Sequence, residues 1–168
     1  DMYDARGQVG LFLIDPETKH ITDMSAPFQI APMSDDYLQE YFWDGLSGWA
    51  VKNQQSVLSP GGRYDERESR SIYQRRSSGG VGPIIIAPLQ HQDTITGTLM
   101  VYRKVDDPEF TRADLDLLQT IANQCAVALE NIRLYDQAQE EIESRRRTEG
   151  TLAKQSQYLV ALHDTSLG

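Results

Sequence analysis

Cysteine is nearly absent. Cys125 is the single cysteine among 168 residues, so no intrachain disulfide can form and zinc sites built on several thiolates are excluded. One thiol and no signal-peptide pattern predict a reducing, cytoplasmic setting. Histidine is scarce too. His20, His91 and His163 are scattered along the chain, with neither the spacing of a metal-ligand set nor the neighbours of a catalytic dyad, so they read as surface residues and no bound metal is expected. No apolar run approaches the roughly 18 residues of a membrane helix. The longest, residues 83–89, is interrupted by Pro88, and direct membrane insertion is not expected. Positive charge is in deficit: 16 Lys and Arg against 25 Asp and Glu give a net charge of −9, which argues against nucleic acid as the main partner.

The chain is long enough for one domain with a proper core, or one domain with an appended segment. It begins at Asp1 and stops at Gly168 within a helical pattern, and so reads as a piece of something longer. Charge divides it in three. Residues 1–60 carry 9 acids and 3 bases, residues 61–104 carry 4 and 7, and residues 105–168 carry 12 and 6. Only the middle third is net positive.

Up to residue 104 the pattern is mostly antiparallel strand. Residues 9–15 and 20–24 flank a Pro16-Glu17-Thr18-Lys19 turn as a hairpin. Pro27 and Pro32 bracket a loop, and Ser34 with Asp35 and Asp36 opens a short helix ending near Phe42. A second short helix follows Gly45, and residues 56–59 form a short strand. Residues 63–76 are polar with a helical character, and 77–83, rich in serine and glycine, read as a flexible loop. Residues 84–90 and 95–103 then pair around a turn at Gln92 and Asp93.

Beyond Pro108 the apolar period becomes helical. Thr111 and Asp114 suit a capped start. Leu115, Leu118, Ala122, Cys125, Leu129 and Ile132 recur at spacings of 3 and 4 as a packing seam. Leu117, Ile121, Ala128 and Leu134 widen the apolar zone beyond one face, which predicts two partners, the domain's own sheet and a second subunit. No proline follows Pro108, so the helix can run far. From 140 to 151 apolar residues nearly vanish, so this stretch is expected to be solvated and loosened before they resume at Leu152. Cys125 within the seam behaves as a small hydrophobe. The glycines 79, 80 and 82 precede a strand, whereas a phosphate-binding loop opens a helix.

Gly45-Leu46-Ser47-Gly48-Trp49-Ala50-Val51 followed by Gln55-Ser56-Val57-Leu58 is similar to the "GLSGWV…GQPLLV" segment of the GAF domain, a small-molecule sensor module of signalling proteins. The 84–89 run followed by Gly97-Thr98-Leu99 resembles its central hairpin. Phe110-Thr111, Asp114-Leu115, Leu118 and residues 121–131 resemble its exit helix. The match covers roughly residues 6–135. It implies an α+β, PAS-related fold: a central antiparallel sheet of five or six strands, helices on one face with a small pocket on the other, and a long C-terminal helix. It implies a sensory domain at 1–135, with its usual first helix largely missing, and a linker helix at 136–168 leading to a further module. A homodimer through terminal helices is implied, passing a conformational signal to an output such as the kinase of a two-component system. The implied guest is an unidentified small molecule, and no catalytic role is expected. A degenerate domain acting only as a dimerisation spacer is the alternative.

The same resemblance places the basic cluster Arg63, Arg67, Arg70, Arg75 and Arg76 over the ligand pocket. Arginine forks fit carboxylates and phosphates. The candidate ligand residues are accordingly Trp49, Tyr64, Arg67, Arg70, Tyr73 and Ile86. The plainer reading is that Asp65, Glu66 and Glu68 neutralise these arginines on a solvated helix. A lone thiol in the exit helix argues against a covalently held bilin. Arg103 and Leu115 stand where cyclic-nucleotide-binding members carry Asn and Glu, so that ligand class is unsupported.

Overall fold

A computed structural model describes residues 8–25 and 34–166. The expected Pro27–Pro32 loop and the residues preceding the first strand lie outside them. The elements run β1 (Gln8–Ile14), β2 (Ile21–Ser25), α1 (Asp35–Trp43), α2 (Leu46–Asn53), β3 (Val57–Ser59), α3 (Arg70–Ser78), β4 (Val81–His91), β5 (Thr94–Lys104) and α4 (Arg112–Ser166). Two compact units divide the chain, Asp1–Val127 and Ala128–Gly168.

The first unit is built on one antiparallel sheet of five strands in the order β2-β1-β5-β4-β3. Local chemistry sets its turns. Asp15 Oδ1 accepts from the backbone N–H groups of Glu17 and Thr18 at 2.9 and 2.7 Å, closing the β1–β2 turn. Those bonds hold the Asp15 carboxyl below its usual range. Ser34 caps α1 by accepting from Tyr37 N–H, and Asp35 and Asp36 fill the first turn, as expected. β4 is paired on both sides only where Val57–Ser59 meets Ile86–Ile84. Its two prolines, Pro83 and Pro88, fall just outside that stretch, where a missing N–H is tolerated.

Alternation along the strands separates two buried faces. Phe12, Ile14, Ile84, Ile86, Met100 and Tyr102 point to the face covered by α1, α2 and α3, in one core with Phe42, Leu46, Ala50 and Val57. Ile85, Ala87, Leu89 and Leu99 are buried on the opposite face. Among the described elements, the start of α4 is what remains to cover them. Its buried stripe is Leu115, Leu118, Ala122 and Ala126. Thr111 and Asp114 cap it reciprocally: the Asp114 carboxylate accepts from Thr111 N–H at 2.7 Å, and Asp114 N–H donates to Thr111 Oγ1 at 3.2 Å.

Three local expectations are corrected. Residues 63–69 are turns, and the helix begins only at Arg70, where Ser69 caps it through Ile72 N–H. The stretch 77–83 is no open loop, since α3 runs to Ser78 and β4 starts at Val81. Gly82 is required there by close approach, because a Cβ would stand 2.4 Å from the Lys104 carbonyl oxygen. The stretch 140–151 is solvated but fully helical. Arg145–Glu141 and Arg147–Glu143 pairs at i,i+4 support it. The second unit is this continuing helix, exposed along its side chains from Asn131 to His163.

Candidate functional site

The site lies between the sheet and the three short helices. Its floor is apolar and comes from strand residues that share a face: Phe12 of β1, Ile84 and Ile86 of β4, and Met100 of β5. α1 and α2 supply Tyr41, Phe42, Leu46 and Ser47, and α3 supplies Ile72 and Arg76. Phe42 meets Phe12 edge-on at 5.2 Å between ring centres. Together these groups line a cavity of about 30 Å³, room for no more than a water or two.

A buried ion pair occupies its polar end. The Arg76 and Glu68 side chains are 4% and 0% exposed. Arg76 Nε donates to both Glu68 carboxylate oxygens at 2.9 Å, and Nη2 donates to Oε1 at 2.6 Å. Ile72 and Arg76 stand four apart on one face of α3, so the helix that buries the isoleucine must also bury the guanidinium. Burial raises the Glu68 carboxyl, against the pull of the Arg76 hydrogen bond and charge. Burial also pushes the Tyr41 phenol up to about 12, with the Arg76 charge opposing. The Tyr102 phenol is raised by burial as well, and its hydroxyl donates to Gln8 Oε1. Both phenols therefore stay neutral donors at physiological pH.

Of the six candidate ligand residues, Ile86 alone lines this cavity. The other five gather outside it. The Arg67 guanidinium lies over Trp49 at 5.3 Å, donates to the Leu58 carbonyl at 2.9 Å, and pairs with Asp65 at 2.6 and 2.9 Å. Arg70 lies over Tyr64 at 5.0 Å, and Tyr64 meets Tyr73 edge-on at 5.5 Å. Arg63, Tyr64 and Arg67 border an open groove with Leu58 and Pro60. Tyr73 connects the two regions, since its ring also lies 5.1 Å from the Arg76 guanidinium. Asp65 and Glu68 neutralise arginines as the plainer reading expects, but across turns rather than along a solvated helix. Asp65 is raised by burial, yet the Arg67 side-chain and backbone hydrogen bonds outweigh that and hold it at about 2.

The residues of the expected seam separate. Leu115, Leu118 and Ala122 are buried, Cys125 and Leu129 lie at the margin, and Ile132 is exposed. The turn after β3 is tied to the approach to α4, because Gly61 N–H donates to the Glu109 carboxylate at 3.0 Å. Among the described residues no His, Cys, Asp or Glu group is arranged to hold a metal ion, and no helix is long and apolar enough to cross a membrane.

A five-stranded antiparallel sheet with short helices over a small recess and a long exit helix defines an α+β fold. The GAF domain family model matches residues 6–129, and the chain belongs to that family. GAF domains are sensory and regulatory domains of signalling proteins. The structure is similar to the GAF-B domain of DevS from Mycobacterium smegmatis, with a TM-score of 0.52 and 18% identity over 77% of this chain and 85% of that one. It is similar to residues 122 to 287 of a methyl-accepting chemotaxis protein, with a TM-score of 0.56 and 15% identity over 77% and 81%. The GAF domain of an Acinetobacter phosphoenolpyruvate-protein phosphotransferase gives a TM-score of 0.56 and 16% identity over 77% and 74%. At these identities the likeness is one of fold. A comparison with curated protein sequences finds no match.

Proposed function

We propose that this chain is a cytoplasmic sensing and dimerisation unit without catalytic activity of its own. In this reading residues 1–135 form the sensory domain and 136–168 the relay helix toward an output module such as a histidine kinase. The state of the cavity biases the packing of the sheet against α4, and a second copy of the chain reads that bias along the helix. The bias is limited to the ligand's difference in affinity between the two states.

The observation that carries this reading is the double apolar character of α4. Leu115 and Leu118 are 1% and 5% exposed, whereas Leu117 and Ile121 beside them are 62% and 41% exposed. Leu117, Ile121, Ala128, Tyr135 and Ile142 continue at spacings of 4, 7, 7 and 7, with Gln124, Asn131 and Ala138 at the alternate positions of the same two-helix seam. Arg145 and Glu149 interrupt it before Leu152 and Leu159 resume. The occupant that fits such a track is a second copy of the same helix.

Sedimentation equilibrium of the purified chain tests this directly. A dimer is expected, shifting to monomer in a Tyr135→Asp, Ile142→Asp variant with unchanged circular dichroism. A monomer well above micromolar concentration overturns the dimer. Cysteines placed at Leu129 and Ile142, in a Cys125→Ser background, then report on relay. Cross-linking that shifts with cavity occupancy supports it, and an invariant pattern supports the spacer reading. The small free cavity is the observation in favour of that second reading.

A further inference from the structure

We propose that the cavity is a site for a short-chain carboxylate, and that the Glu68 side chain occupies its anion-binding end as a tethered surrogate until an external carboxylate displaces it. The proposal rests on the sensing reading above and names the class of ligand.

Arg76 is the reason. It is the cavity-lining arginine, it is desolvated, and it presents Nε and Nη2 as a fork to a carboxylate. That geometry fits any carboxylate of similar approach, not only the one on Glu68. The rest of the lining divides by chemistry. Tyr41, Ser47 and Tyr102 place hydroxyl-bearing side chains about the recess, while Ile72, Ile84, Ile86 and Met100 provide an apolar wall. An anionic head with a small alkyl body matches both parts.

Size then sets the class. The free space of about 30 Å³ excludes anything larger than water. Withdrawal of the Glu68 side chain adds the volume of a carboxyl group and two methylenes. The enlarged site takes a carboxylate of a few carbons and excludes nucleotides and tetrapyrroles. Glu68 is placed to withdraw. It is the residue before the Ser69 cap, in the turn region 63–69, so its side chain can swing without unwinding α3 or breaking a strand. Arg63 stands on the same turn region, beside the open groove, to receive it. Glu68 is also held at a cost, because burial disfavours its charged form. An external carboxylate meets the same desolvation but adds contact with the apolar wall.

The test uses the purified chain and sodium isobutyrate, with isobutyramide and sodium chloride at matched ionic strength as controls, followed by NMR. Saturable shifts at the Ile84 and Ile86 methyls and at Arg76 Nε–H are expected with isobutyrate alone. Removing the tethered competitor raises the competent fraction, so Glu68→Ala should bind about tenfold more tightly or better. Glu68→Gln, which keeps the shape, is the fallback if that variant does not fold. No saturable, carboxylate-specific change in the unsubstituted chain up to about 100 mM overturns the proposal, since a Kd above that is worth less than about 1.4 kcal/mol. Shifts confined to residues 63–67 overturn it as well. Failure of carboxylate binding with the dimer intact removes the anion site and leaves the dimerising unit standing, whereas a monomer that still binds isobutyrate does the reverse.

Discussion

Substituting Glu68 by glutamine puts the buried pair to a quantitative test. In the native chain three charge-assisted contacts of 2.6 to 2.9 Å join two side chains that are 4% and 0% exposed. The substitution preserves volume and one acceptor oxygen but leaves the guanidinium without a counter-charge in a desolvated site. Breaking such a pair from one side costs about 3–5 kcal/mol, because the surviving charge remains buried. At about 2–4 °C per kcal/mol for a domain of this size, the melting temperature should fall by about 6–20 °C. Replacing both partners, as Glu68→Leu with Arg76→Met, removes the stranded charge and should bring stability back to within about 1–2 kcal/mol of the starting protein, or above it. Urea denaturation of the native chain, the Glu68→Gln variant and the double variant measures both quantities. A Glu68→Gln cost below about 1 kcal/mol would mean that the pair behaves as an exposed one, and the desolvated site described above would then be wrong. A double variant as unstable as the single one would refute the stranded-charge argument, though not the burial.

Other perturbations have equally definite outcomes. Asp65 is depressed to about 2 from 3.8. It therefore contributes stability that is present above pH 4 and is lost as pH falls toward 2. Asp65→Asn should remove about 1–2 kcal/mol of that acid-dependent stability, solvent screening included, and flatten the pH profile in that window. An unchanged acid limb would show that Arg67 does not hold the carboxylate in solution. A Cβ at Gly97 would lie 2.0 Å from the Phe12 carbonyl oxygen, so Gly97→Ala must push β1 and β5 apart. A loss of about 2–4 kcal/mol in urea denaturation is expected. A loss below about 0.5 kcal/mol would refute the close approach. Gln54 ends α2 in the left-handed conformation with φ of 53°. Gln54→Gly should raise stability by about 0.5–1 kcal/mol in thermal unfolding, and a decrease would contradict that backbone geometry.

What could be read in the residues and what could not differ by the range of the physics involved. Ser34 with Asp35 and Asp36, the Thr111–Asp114 box, and the strand at 9–15 are settled within a few residues of chain, and the structure agrees with each. The glycines 79, 80 and 82 suggested mobility because composition carries no information about what another strand brings near. The Lys104 carbonyl, 22 positions away, is what makes Gly82 necessary. The cavity was obscured by a similar effect at the level of charge. Five arginines in a polar segment read as one cluster, either over the pocket or on a solvated helix, because arginine and glutamate are rarely buried unless paired. One local rule does separate them. Ile72 is the strongly apolar residue of α3, and the residue one helical turn further on the same face is Arg76. Antiparallel register completes the set, because Ile84 stands opposite Tyr102 and Ile86 opposite Met100. An arginine placed by helical period on a buried face needs a carboxylate, and the near candidates are the acids of the preceding turn. Asp65 is claimed by the adjacent Arg67, which leaves Glu68 to pair with Arg76 and turns an apparent surface patch into the occupied end of a pocket.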